Sequence, residues 1–473
     1  ILCAQRKRNA VDQAKEPLFR ERLLFFISDS RCILTKAGGK NMHDMRRYVT
    51  DQIKWIKQMS YEDIPDEIKT RARWILLDSV GCIVNGMSGD KLPPDIYEAV
   101  LKSSSAMVST ELYEGNRFSI GHPACHIVPL LLVEAGERAD LTYKDALRIF
   151  ICAYELASRW GRSVRFTNDM LGHGTIMNAG AAVVEGLMTD MTEEKFVNYL
   201  MTCEVLPEVS TWQSVFEGST IHDYYPGIAA VNAKNALYMS NNNVKSSEEL
   251  IRSVYGKITG TKVIEDNLAD DDDIGWYIAK NYFKVHSGCR FIHPFVDVIE
   301  QLMKEGLTKE DVKEIQVSTY KKAAMISDQH VTNVLAAKFS TPVSLAIQLS
   351  EGRLYPEDIE RALHNKSDIQ ELASKISLRE DDRYNELLPD VRGGMVRVVK
   401  NDGQVIEREV FHAHGDFDDP AGYTERQLTD KFRSVTERCL STTQQEEIIE
   451  SILRGSDELT VQEIFRTYFE CVR

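Results

Sequence analysis

A chain of 473 residues, 43% hydrophobic and 27% charged, has the composition of a soluble globular protein with more than one domain. Its formal net charge of −15 at pH 7 argues against nucleic acid or an anionic membrane as the main partner, while a locally positive pocket could still take a small anion. The nine cysteines form no C-x-x-C pair and no Cys/His cluster at zinc spacing, and no apolar run reaches the length of a membrane span. No metal site, no iron–sulfur cluster and a cytoplasmic, reducing setting are therefore expected.

Residues 1–41 are locally basic and lack a long apolar period. Gly38-Gly39-Lys40-Asn41 back-translates to a purine-rich ribosome-binding sequence ahead of Met42. A non-native or disordered leader is expected there, with Met42 or Met45 as the natural start. From Met42 the chain reads as successive helices. Between Asp63 and Asn85, Ile64, Ile68, Ala72, Ile75, Leu76, Val80 and Ile83 recur at helical spacing. Thr142-x-x-Asp145 is a capping box for a helix that Gly161 ends, and Gly180 to Met188 and Pro226 to Tyr238 are small-residue helices. The acidic run from Glu265 to Asp273 reads as a solvated loop between domains. Beyond it, Ile315, Val317 and Thr319 alternate as in a strand, and Asn401-Asp402-Gly403 between valine-rich runs signals a hairpin. Helices are expected at Phe291 to Lys304, Thr341 to Glu351 and Pro356 to Leu363, and again from Thr424 to the end. The predicted fold is mainly α: a large all-helical domain (42–275 and 420–473) and a smaller α+β lid domain (276–419).

The polar constellations fall at helix starts and loops. Gly121-His122-Pro123-Ala124-Cys125-His126 precedes an apolar helix, with Pro123 suited to its first position and His122 at its mouth. The helix dipole there disfavours a second positive charge, so a neutral imidazole can act as a proton acceptor. Glu111 and Glu114 lie just before it. His173 and His222 stand in glycine-containing loops ahead of the two small-residue helices, and Lys284, His286, Arg290 and His293 open the second domain. Histidine bases, helix N-termini and fixed cations suit proton abstraction beside a carboxylate, where developing charge must be stabilised.

Several motifs, in this order, carry a resemblance: Leu76-Leu77-Asp78-Ser79-Val80-Gly81-Cys82, Gly121-His122-Pro123, Ala153 to Arg159, Tyr225 to Ala230, Tyr282-Phe283-Lys284, Ala337 to Ser340 and Asp430-Lys431-Phe432. From about residue 45 to the end the chain resembles the MmgE/PrpD family, which includes 2-methylcitrate dehydratase, cis-aconitate decarboxylase and iminodisuccinate epimerase. The resemblance implies a cofactor-independent lyase, first of all a hydro-lyase (dehydratase) acting on a small hydroxylated di- or tricarboxylate, and a homodimer with its active site between body and lid. An epimerase or isomerase, a decarboxylase, or a non-catalytic carboxylate-binding homologue are the alternatives. The resemblance and the residues' own chemistry together mark His122, Lys284, His173 and His222 as the catalytic candidates, and Arg290, Glu111, Glu114 and Lys338 as the substrate-binding ones. The sequence departs from the family at Leu171, where many members have histidine, at His222, where lysine or arginine is common, and at Val343, where many have tyrosine.

Overall fold

The computed structural model describes residues 44–167, 169–259, 262–269 and 274–473, and over them the chain is mainly helical. The leader expected over residues 1–41 and the acidic tip 270–273 fall outside the described residues. Helices α1 (Met45–Gln58), α2 (Asp66–Met87), α3 (Ile96–Ser109), α4 (Pro123–Gly136), α5 (Tyr143–Ser163), α6 (Asn178–Leu187), α7 (Glu193–Cys203) and α8 (Ile221–Asn241) build the first part. The cap expected at Thr142 is present, its side chain accepting from the Asp145 amide. The helix expected to begin at Pro226 already begins at Ile221, so His222 and Asp223 stand in its first turn rather than in the loop before it. Pro226 is accommodated inside that helix at the cost of one backbone hydrogen bond.

The second part holds a four-stranded sheet in the order β6-β5-β7-β8, formed by β5 (Val312–Thr319), β6 (Ile376–Glu380), β7 (Gly394–Lys400) and β8 (Val405–Val410). Its β7–β8 hairpin turns at Asn401–Gly403, and β5 runs parallel to β6. Helices α9 (His293–Lys304), α10 (Thr341–Glu351), α11 (Pro356–His364) and α12 (Lys366–Ser374) accompany it. The chain then returns as α13 (Glu425–Thr436), α14 (Thr442–Arg454) and two short helices, which pack on the first part. Those last two, Val461–Ile464 and Arg466–Val472, meet at Phe465.

Two large buried clusters follow from this order. One gathers α1 to α8 with Phe283 and the C-terminal helices; the other gathers Cys289 to Val398 with Leu171, Trp212 and Val215. Small ladders cross between early and late segments, which the sequence pattern does not announce. Gly115–Asn116 (β1) pairs with Asn281–Tyr282 (β4), and Val164–Arg165 (β2) pairs with Lys262–Val263 (β3). The first half of the acidic run is docked rather than solvated. Leu268 is buried, and Glu265 pairs with Arg252 at 2.6 Å. Two of the quoted motifs meet across 353 residues, where the Lys431 ammonium binds buried Asp78 at 2.5 Å and the Leu112 carbonyl at 2.7 Å. That pair fixes the segment just after α3, on which the polar centre is built.

Candidate active site

The centre lies where residues 110–114, leaving α3, meet residues 284–288. The Gly288 amide donates to the Glu111 carbonyl at 2.9 Å and the Ser287 hydroxyl to the Thr110 carbonyl at 2.5 Å. Glu111 and Ile120 have φ values of 48° and 58° and Met177 one of 75°, a left-handed backbone that non-glycine residues adopt only when their surroundings enforce it. All three flank the histidines described below. Gly115 could be nothing larger, because a Cβ there would collide with the Tyr282 hydroxyl and ring atom Nδ1 of His122.

His122 is the N-cap of α4, with Pro123 in the first turn, as the sequence predicts. Its Nδ1 lies 2.7 Å from the Glu114 carbonyl, which can only accept, so Nδ1 carries the proton and Nε2 is left with its lone pair. Burial, reinforced by the Lys284 ammonium, lowers His122 to about 3, so the ring is neutral at pH 7. One turn on, His126 donates from Nδ1 to the His122 carbonyl (3.0 Å) and accepts the Gly174 amide at Nε2 (2.9 Å). It ties α4 to the turn that carries His173 and has no nitrogen left for chemistry.

Tyr113, unremarked in the sequence, is the hub. Its hydroxyl lies 2.8 Å from Nε2 of His173 and 3.2 Å from the Glu111 carboxylate, and its ring centroid is 4.9 Å from that of His122 and 4.8 Å from the Lys284 ammonium. The rings of His122 and His173 are 5.1 Å apart, and those of His173 and His222 are 4.6 Å apart. Nε2 of His222 donates to Glu111 at 2.9 Å, and Lys284 donates to its other oxygen at 2.7 Å. Burial would raise the Glu111 carboxyl, but the Lys284 ammonium and the His222 ring outweigh it and hold Glu111 well below the ordinary carboxylate range. Burial and its two neighbouring histidines push His173 well down. His222 Nδ1 is buried without a partner among the described residues.

Five of the eight candidate residues thus share one neighbourhood: His122, His173, His222, Glu111 and Lys284. The other three stand around it. Buried Lys338 donates to the Ser109 carbonyl at 2.6 Å, closing the end of α3. The Glu114 side chain faces away from the rings, accepting the Ala124 amide and the Tyr154 hydroxyl, each at 2.8 Å. Arg290 lies beyond Tyr282, paired with Asp416 at 2.8 Å. Of the departures, Leu171 packs in the second core and Val343 is buried in α10, while His173 is the histidine of its loop that reaches Tyr113. Cys289 is buried and its thiol is pushed up to about 12 by that burial, so it is no nucleophile. One ligand atom each from Glu111, His173 and His222 lie within 4.8 Å of one another, a possible three-point metal set. The Lys284 ammonium on the same carboxylate opposes a divalent ion there.

Burial raises the Glu114 carboxyl to about 8. Between its ordinary value of 4.5 and about 8 the unfolded chain ionises Glu114 and the folded chain does not. Its contribution to stability is therefore complete at low pH and lost as pH rises through that window, by about 1.4 kcal/mol per pH unit. Glu114→Gln keeps the shape and removes the titration. Its melting temperature is expected to overtake that of the unaltered protein as pH rises from 5 to 8, and parallel curves would refute this.

Residues 95–261 match the MmgE/PrpD N-terminal domain and residues 286–455 the MmgE/PrpD C-terminal domain. Two cis-aconitate decarboxylases are similar over most of their length. One, from Aspergillus terreus, is 21% identical over 478 residues, covering 87% of this chain and 94% of the relative. The other, from Aspergillus terreus (strain NIH 2624 / FGSC A1156), is 20% identical over 471 residues, covering 86% of this chain and 92% of the relative. No helix among the described residues is long and apolar enough to cross a membrane. The chain belongs to the MmgE/PrpD family.

Proposed function

We propose that this chain is a cofactor-independent lyase that moves a proton beside a carboxylate of a small di- or tricarboxylate, with dehydration of a hydroxylated substrate as its reaction. The observation that carries the reading is His122: a neutral ring, its Nδ1 proton committed to a backbone carbonyl and its Nε2 free to accept. In the proposed step Nε2 takes the proton from the carbon next to the carboxylate. The electron pair of that C–H bond forms the double bond as the C–O bond breaks, and the hydroxyl leaves as water with a proton from His222, the histidine paired with the Glu111 carboxylate, while His173, pushed well down by burial, is no acid. Lys284, held by Glu111, faces the growing negative charge across the ring of Tyr113. The two separate buried cores support reading 276–419 as a lid over a body made of the remaining described residues.

The decarboxylase names of the two relatives favour a second reading, in which a C–C bond breaks and the carbanion takes up a proton. A ring neutral at pH 7 is better suited to accepting a proton than to delivering one, which places dehydration first. Incubation with 2-methylcitrate, citrate and cis-aconitate, in water and in deuterium oxide, separates the possibilities. Enoate formation from a hydroxy acid is the expected result. Carbon dioxide release from cis-aconitate establishes the second reading instead, and exchange with inversion but no loss of water would indicate an epimerase. Inertness toward the whole panel would sink the proposal.

A further inference from the structure

Tyr113 has one hydroxyl proton and two acceptors within reach. Nε2 of His173 lies at 2.8 Å and Oε1 of Glu111 at 3.2 Å. A phenol donating to an ionised carboxylate closes to about 2.5–2.7 Å, so the contact to Glu111 is too long for that bond. Glu111 is ionised and already served: Nε2 of His222 donates to the same oxygen at 2.9 Å, and Lys284 donates to the other at 2.7 Å. The hydroxyl proton therefore points to His173, and Nε2 of that ring is the acceptor. Burial and the neighbouring histidines push His173 well down, so the ring is neutral. A neutral imidazole that accepts at Nε2 carries its proton on Nδ1.

The turn that carries His173 is pinned on both sides of the ring. The Ser210 hydroxyl donates to the His173 carbonyl at 2.7 Å, and the Gly174 amide donates to Nε2 of His126 at 2.9 Å. The Tyr113 hydroxyl holds the ring itself, and Nδ1 has no hydrogen-bond partner among the described residues. His173 keeps 7% of its surface exposed and Tyr113 none, so a ligand can touch the histidine but not the tyrosine. The ring of His122, with its lone pair at Nε2, stands 5.1 Å away at an interplanar angle of 31°. The two imidazoles are complementary. One can take a proton from carbon while the other donates a hydrogen bond to the oxygen on which charge grows. We infer that Tyr113 is a positioning residue that holds His173 with its proton on Nδ1, so that His173 meets the reacting anion as a neutral hydrogen-bond donor while His122 meets the carbon as a base. The N–H of a neutral imidazole stays on nitrogen throughout, which distinguishes this role from that of an acid. The donor role rests on the lyase reading, whereas the tautomer does not.

The test is nitrogen NMR on the full chain carrying nitrogen-labelled histidine, with the His173 signals identified by their loss in His173→Gln. The unaltered protein, without ligand, is expected to show a directly bonded proton at Nδ1 of His173 and none at Nε2. In Tyr113→Phe the donor to Nε2 is gone, and the proton should spread over both nitrogens. A proton on Nε2 in the unaltered protein, or an unmoved tautomer in Tyr113→Phe, overturns the assignment. Kinetics then tests the use of the N–H. With the substrate found in the panel, Tyr113→Phe should lower kcat about tenfold, the worth of one hydrogen bond, and leave KM within about twofold. An unchanged kcat, or a loss carried by KM alone, overturns the donor role. A proton on Nδ1 in a chain inert toward every polycarboxylate keeps the tautomer and removes the lyase reading. Turnover that fails in His122→Ala, with the His173 proton found on Nε2, does the reverse.

Discussion

His122→Ala lowers kcat by at least about 10²-fold, the low end for a positioned acid–base group, while the protein stays folded. The fold should tolerate the change because the side chain does not cap α4. Pro123, the Ala124–Glu114 bond and His126 hold that helix end without it. The structural loss is one neutral hydrogen bond to the Glu114 carbonyl, worth about 1 kcal/mol. Free imidazole diffusing into the vacated space should restore part of the rate, which no structural role would predict. The pH profile gives an independent check. A ring lowered to about 3 is already the base at pH 5, so kcat/KM should show no acid limb near the ordinary imidazole value of 6.5. Near-normal turnover by His122→Ala of the substrate found in the panel would remove the residue from the mechanism.

Legibility from sequence followed the range of the interactions. Helices with a sustained period, such as α2 and α10, and the Asn401–Gly403 hairpin are written in neighbouring residues, and they appear where expected. The start of α8 did not, because Pro226 reads locally as a helix beginning while tertiary packing carries the helix through it. The two-residue ladders β1–β4 and β2–β3 leave no alternation to detect. The histidines and Lys284 could be named from their motifs, but their partners could not. Glu111 was marked for substrate, yet it spends both oxygens on Lys284 and His222. Tyr113 has no motif of its own, and its importance appears only when residues far apart in the chain converge on it. A left-handed Glu111 or Ile120 is equally silent in sequence, because no glycine marks the position.

Lys284→Met should be the most destabilising single change at the site. Lys284 and Glu111 are both about 1% exposed and sit 2.7 Å apart, so removing the ammonium strands a buried carboxylate. Breaking such a pair from one side costs about 3–5 kcal/mol. Replacing both partners, with Lys284→Met and Glu111→Gln together, should recover most of that loss, since neither remaining group needs a counter-charge. Denaturant unfolding of the two single variants, the double variant and the parent measures the coupling, and additive losses would show that the pair does not act as one unit. Activity should not follow stability: the double variant, refolded in stability, stays inactive if the ammonium stabilises the reacting anion. The pH dependence should also change sign. In the parent, Glu111 is held below its unfolded value, so its contribution is present above the ordinary carboxylate range and is lost as pH falls through the depressed value. Without Lys284, burial, the largest influence on Glu111, is left with only the histidines to oppose it and drives the carboxyl upward. The single variant should therefore lose stability as pH rises through the raised value and regain it in mild acid, where the stranded carboxylate takes up a proton.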